Sequence, residues 1–270
     1  MNVDKAGRAY WDRLWSAPGA ELSPPSRSVR YLEKRFRRFF SEIFADMETS
    51  GARLLEAGCG DSTWLPYFAK EFGFVVSGID YSTSGCERAR ANLSMQNTTG
   101  EIVCADFFDP PEGMRNVFDV VFSSGVVEHF TDAAACVRSL ASFLKPGGLI
   151  ITSVPNMTGI CGFMQKLLNP SVFELHVPMD TTALAKAHEQ AGLQGSACAY
   201  FMSTNFGIVS LQGIAQRSLA GSFKKTAVAT LTRFSYLVWI IEDFVRPIKP
   251  NSLSSPYVNC VARRPNNDRN

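Results

Sequence analysis

Residues 54–65 read LLEAGCGDSTWL. An apolar pair and an acid lead into two glycines around Cys59. Gly58 and Gly60 have no Cβ, so the backbone can turn sharply there and a ligand can approach it closely. The preceding "ARLLEA" (52–57) reads as a strand and 62–72 as a helix, so the turn joins strand to helix. The neighbouring residues say what could rest on it. A pyrophosphate at a helix N-terminus calls for G-x-G-x-x-G. Here Thr63 stands at the third glycine's place, and Glu56 and Asp61 would repel phosphate. A cationic amino-acid ligand suits these acids better.

Beyond the turn, strand and helix patterns alternate. Strands are expected at 74–80, 101–106, 117–124, 149–155, 195–201 and 257–263, with helices at 84–96, 132–144 and 180–191. "VFDVVFSS" (117–124) is nearly all apolar, as befits the middle of a parallel sheet. "KPGG" (145–148) is expected to stop the helix before it, and Asp180 or Thr181 to cap the helix at 180–191. The pattern predicts an α/β fold: a Rossmann-like, mostly parallel seven-stranded sheet flanked by helices, with its ligand at the carboxyl ends of the strands.

Residues 1–50 are expected to form an N-terminal helical extension. Within it, 27–48 place Val29, Leu32, Phe36, Phe40 and Phe44 on one helical face. The main domain spans 51–264, with an irregular lid at 156–179. A helical insertion at about 202–256, read as helices 205–220 and 224–245, caps it before the last strand. Residues 265–270 are expected to be a disordered tail.

The net charge of +2 hides an asymmetry: residues 51–201 hold nine Lys+Arg against fifteen Asp+Glu, and the flanks are net basic. An acidic middle suits a cationic ligand, and basic flanks suit an anionic partner, unless both are scatter on solvated faces. The seven cysteines are scattered with no CxxC, which predicts reduced thiols, a cytoplasmic location and no zinc site. No signal-like apolar segment opens the chain. The apolar run 234–241 is far short of the ~20 residues of a membrane span.

Five ordered stretches, "LLEAGCGDS", "GIDYS", "CADFFD", "FDVVFSSGVVEHF" and "LKPGGLIITSVPN", resemble class I S-adenosylmethionine-dependent methyltransferases over about 52–155. The core motifs are similar to those of ubiquinone-biosynthesis O-methyltransferases. The resemblance implies S-adenosyl-L-methionine as cofactor. Asp80 would bind the ribose hydroxyls, with Tyr81 beside it. Asp106 would meet the adenine amino group and Phe107 stack on the ring. Glu56, Gly58, Cys59 and Gly60 would surround the methionine part, and Ser123 and Ser124 the transferring methyl. The N-terminal "YWDRLW" (10–15) resembles the aromatic segment with which small-molecule methyltransferases cover the cofactor, which places Tyr10, Trp11 and Arg13 over the methionine end.

His129 is the expected general base for a hydroxyl acceptor. Some relatives bind a divalent metal through Glu-x-x-Glu-His. Gly125 replaces the first Glu here, so no metal is expected, and Glu128 would orient His129 or cap the next helix. His176 lies at the end of the lid, either lining the acceptor pocket or holding structure. The variable segments mix Phe163, Leu167, Phe173, Phe201 and Phe206 with Lys166, Arg217, Lys224 and Lys225. They suggest a bulky small-molecule acceptor, apolar or phosphate-bearing and methylated at oxygen. No concentrated basic stripe points to nucleic acid, and peripheral membrane contact through 224–245 stays open. Two other functions compete: a catalytically silent cofactor-binding scaffold, and a nicotinamide-dependent oxidoreductase, which Asp61 and Thr63 disfavour.

Overall fold

The computed structural model describes residues 2–16, 27–214 and 218–266, with side chains from residue 30 onward in the second segment. Its strands are β1 (Arg53–Ala57), β2 (Val75–Asp80), β3 (Glu101–Cys104), β4 (Phe118–Ser124), β5 (Leu144–Pro155), β6 (Gln194–Phe201) and β7 (Tyr257–Arg263). Its helices are α1 (Arg8–Trp15), α2 (Arg27–Phe44), α3 (Trp64–Phe72), α4 (Thr83–Met95), α5 (Ala133–Ala141), α6 (Ile160–Leu168), α7 (Pro170–Glu174), α8 (Thr181–Gln190) and α9 (Leu219–Phe244). The seven strands form one sheet in the order β3-β2-β1-β4-β5-β7-β6. β1 to β5 run parallel, and β7 lies antiparallel between β5 and β6. The strand order reverses between β1 and β4, so a crevice opens beyond their carboxyl ends.

Alternation along each strand builds a core on both faces. Leu54, Val120 and Phe122 pack with Phe36, Phe40, Phe44 and Phe68 on one side. Leu55, Val121 and Ile150 pack with Val137, Leu140 and Leu184 on the other. Burying a phenylalanine is worth about 1.5–3 kcal/mol over exposing it, so Phe36, Phe40 and Phe44 hold α2 as a layer of the core. The expected core residue Val29 falls outside the described side chains, and 267–270 of the expected tail lie outside the described residues. Ser82, Asp132 and Asp180 cap α4, α5 and α8 through side-chain oxygens that accept from Gly85, Ala135 and Ala183 N–H.

Four expectations are corrected. The stretch 156–179 is not irregular: it carries α6 and α7, because its apolar residues recur at helical spacing and Pro170 suits a first helical turn. "KPGG" does not terminate a helix. α5 ends at Ala141, and 145–148 lie within β5, where pairing with β4 shifts register between Phe118 and Val120 and Gly147 takes φ +76°. The insertion holds one long helix, α9, preceded by a single 3-10 turn at Phe206–Ile208. Residues 215–217 of the expected first helix lie outside the described residues. Finally, Cys198 and Cys260 are not free thiols but form a disulfide. They sit opposite one another on β6 and β7, where antiparallel pairing brings Cβ atoms together. Among the described residues, no helix is long and apolar enough to cross a membrane.

Candidate active site

The glycine turn at the end of β1 needs its glycines. Gly58 has φ +74°, and a Cβ there would lie 2.3 Å from Val126 Cγ2. A Cβ on Gly60 would meet the Trp15 indole at 2.9 Å. Asp80 ties the turn to the start of α4: its carboxylate accepts from Gly60 N (2.9 Å) and Ser82 N (2.7 Å). Burial pushes the Asp80 carboxyl up, while those two hydrogen bonds pull it back. Glu56 is buried and accepts from Ser62 Oγ. Burial raises it to about 8, against the Ser62 bond and with a further push from Asp80. Asp61 is partly neutralised by Arg88 at 2.9 Å.

A cavity of about 360 Å³ opens over this turn. Trp11, Glu56, Gly58, Cys59, Asp80, Tyr81, Phe107, Ser124 and His129 of the expected set line it. Three expected residues do not. Gly60 lies under Trp15. Asp106 is exposed, and its carboxylate accepts from Phe108 N (2.9 Å). Ser123 is fully buried. Trp15, Trp64 and Asp4 line the cavity without having been expected. Trp15 could have been found, because it follows Trp11 by one helical turn. The lining holds five acids, Asp4, Glu56, Asp61, Asp80 and Glu128, and among its described residues no lysine or arginine. Aromatic walls and the carboxylate edges of Asp4, Asp61 and Asp80 fit a cationic ligand carrying an aromatic ring and hydroxyls; they do not fit a pyrophosphate.

α1 crosses the mouth of this cavity. Asp12 accepts from Ser82 Oγ (2.7 Å), Tyr81 OH donates to Asp4 (2.6 Å), and Lys5 N donates to His129 O (2.9 Å). The Trp11 ring meets His129 edge-on at 5.1 Å, and Tyr10 lines the neighbouring cavity. Arg13 is exposed and lines neither cavity.

That second cavity, of about 350 Å³, shares Trp11, Ser124, Gly125, Glu128 and His129 with the first. Leu32, Met157, Val172, Ile208 and Tyr257 give it apolar walls, and Gln165, Asn205 and Ser210 add polar points. Lys166, Lys224 and Lys225 do not line it, and Arg217 lies outside the described residues. His129 is buried, and its Nδ1 pairs with Leu175 O at 2.8 Å, leaving Nε2 3.9 Å from Glu128 Oε1. His176 approaches His129 with ring centroids 4.8 Å apart, its own Nδ1 held by Val172 O (2.8 Å). Burial pushes His129 down to about 4 and Glu128 up to about 8, so both are neutral near pH 7. Glu128, His129 and His176 each offer one ligand atom within 4.8 Å of the others, and they could hold a metal ion. Gly125 leaves that set without a second carboxylate.

A family model described as a methyltransferase domain matches residues 28–196. The chain belongs to this family, the class I S-adenosylmethionine-dependent methyltransferases, whose cofactor is S-adenosylmethionine. It is 30% identical over 164 residues to a ubiquinone biosynthesis O-methyltransferase of Bradyrhizobium sp. (strain ORS 278), covering 57% of this chain and 63% of that one. A ubiquinone biosynthesis O-methyltransferase of Neisseria meningitidis serogroup C (strain 053442) is 34% identical over 107 residues, covering 39% of this chain and 45% of that one. The matches thus span less than two thirds of these relatives. Among solved structures, phosphoethanolamine N-methyltransferase 2 of Haemonchus contortus, in complex with S-adenosyl-L-methionine, superposes with TM-score 0.59 at 16% identity, covering 97% of this chain and 58% of that one. The cyclase SpnF gives TM-score 0.62 at 18% identity, covering 98% and 97%. These similarities show the fold, which hosts more than one chemistry.

Proposed function

We propose that the chain methylates a hydroxyl oxygen of a small, largely apolar acceptor held in the second cavity, with His129 receiving the hydroxyl proton. The observation that carries this reading is the junction of the two cavities at Glu128 and His129. When bound, S-adenosylmethionine supplies an electrophilic methyl and leaves as a neutral thioether. The chain's own residues would do the rest. The acidic, aromatic first cavity binds and orients, and α1 excludes water. The Leu175 carbonyl fixes the His129 proton on Nδ1, so Nε2 is the free base. The hydroxyl proton passes to Nε2 as the C–O bond forms and the sulfur–methyl bond breaks. The apolar walls of the second cavity, and ubiquinone O-methyltransferases among the relatives, favour a phenolic or quinone-like acceptor over a phosphorylated one.

The test is mass spectrometry of metabolite extracts for species that gain one CH2 with the protein and S-adenosylmethionine. On the acceptor so found, His129→Gln should lower kcat by about 10²–10⁴-fold with cofactor affinity little changed. The acid limb of the wild-type rate profile should lie well below the ordinary histidine range. An unchanged kcat would remove His129 as the base, and the absence of any methylated product would overturn the reading in favour of a binding scaffold.

A further inference from the structure

α9 is 26 residues long, about 39 Å at 1.5 Å per residue. Its inner face is accounted for. Gly221, Ser235, Trp239 and Glu242 are buried. Ser235 Oγ accepts from Phe206 N (3.0 Å), Trp239 Nε1 donates to Thr204 O (2.9 Å), and Glu242 accepts from Tyr31 OH (3.1 Å). These bonds brace residues 204–206, next to the wall of the second cavity. The outer face carries exposed apolar side chains. Val228, Leu231, Phe234, Val238 and Ile241, which recur every three or four residues, are split: Phe234 and Ile241 point out, and the other three are half-buried.

The outward residues Leu219, Phe223, Phe234, Leu237, Ile241 and Phe244 recur at steps that keep them on one side. Leu219 is 93% exposed, Phe223 72% and Phe244 85%. They form two exposed apolar groups on that side, Leu219 with Phe223 and Phe234 with Leu237, Ile241 and Phe244, parted by Thr226 and Thr230, and exposed apolar surface of this kind marks a contact site. Its charges say what kind. Lys225 and Arg233 on α9, and Arg246 and Lys249 just beyond it, are exposed and join no salt bridge among the described residues. Both acids of the helix are occupied, Glu242 by Tyr31 and Asp243 by Lys34 at 3.3 Å. The apolar side therefore carries Arg233 and is flanked by Lys225, Arg246 and Lys249, none of them in a salt bridge among the described residues. A second copy of the same face would set cation against cation with no free acid to pair. An anionic lipid surface satisfies both features at once, taking the apolar groups into the interface and the cations to its headgroups.

We propose that the outer face of α9 docks the protein on an anionic lipid bilayer. The test is co-sedimentation of the full chain with vesicles of phosphatidylcholine alone and of phosphatidylcholine with roughly one third phosphatidylglycerol, at about 0.15 M salt. Wild-type protein should pellet with the mixed vesicles and stay in solution with the neutral ones. The triple variant Phe223→Ser/Leu237→Ser/Phe244→Ser should lose about tenfold or more in partition. Lys225→Glu/Arg233→Glu, which leaves the apolar groups intact, should lose about tenfold. Circular dichroism of both variants checks folding. No binding by the wild type, or equal binding to neutral vesicles, overturns the proposal. So does a concentration-dependent dimer that the serine variant abolishes while vesicles capture nothing; that outcome would assign the face to a second copy. The measurement needs neither cofactor nor acceptor and stands or falls apart from the methyl-transfer reading.

Discussion

The two cavities are nearly equal in size, about 360 and 350 Å³, but they are assembled in opposite ways. Apart from Asp4 and α1, the first draws its lining from one stretch, residues 56–130, at the ends of adjacent parallel strands and the turns that follow them. The second gathers Tyr10, Leu32, Met157, Gln165, His176, Asn205 and Tyr257 from the length of the chain. A site made of consecutive strand ends, as the proposed cofactor cavity is, is fixed once the sheet forms. A site made of distant segments, as the proposed acceptor cavity is, can be reshaped by exchanging any one of them. That difference teaches where cofactor and acceptor specificity should separate in mutants.

The sharpest way to break the division is Asp80→Ala. Hydrogen bonds to a charged acceptor are worth about 1.5–3 kcal/mol each, so S-adenosylmethionine affinity should fall at least about tenfold while acceptor binding is spared. Isothermal titration on folded protein decides it, and an unchanged affinity would remove Asp80 from the cofactor site. Trp239→Phe should act on the other side only. It deletes the Nε1–Thr204 O bond, worth about 1 kcal/mol. Acceptor KM should rise about fivefold with cofactor affinity unchanged; an equal effect on both would join the cavities energetically.

A smaller effect comes from the carboxyl at the junction. Burial holds Glu128 at about 8, above an unfolded glutamate. The folded state therefore keeps a proton that the unfolded chain has lost. This contribution to stability is whole below the unfolded value and disappears as pH rises through about 8. The melting temperature of wild-type protein should decline from pH 5 to 9, and Glu128→Gln should decline less steeply. A parallel decline would place the cause elsewhere, with Glu56 the next group to test. The smallest expected effect is that of EDTA: turnover should survive it, because Gly125 leaves the Glu128–His129–His176 group one carboxylate short. Loss on chelation with recovery on manganese or zinc would make those three side chains ligands.

The same contrast governs how much could be read in advance. β1 to β4, the glycine turn and Asp80 were legible because each is a local run whose periodicity or spacing acts over a few residues. Most of the first cavity follows from them, since parallel strands bring their ends together automatically. Asp106 shows the limit even there. It follows β3 as expected, but its carboxylate accepts from Phe108 N and the residue does not line the cavity.

By itself, then, the sequence determined the α/β alternation, the acidic glycine turn and the helical character of α2 and α9, all of which rest on short-range pattern. Tertiary structure alone decided that Cys198 faces Cys260 across 62 residues of chain. It alone brought His176 against His129, laid Trp15 over Gly60, and chose which side of α9 is buried. In α9 both sides are apolar enough to be inner. The choice fell to a few polar anchors, Ser235, Trp239 and Glu242, whose partners Phe206, Thr204 and Tyr31 come from elsewhere in the chain. A buried polar group must find its hydrogen bond, and where that partner stands is known only once the chain has folded.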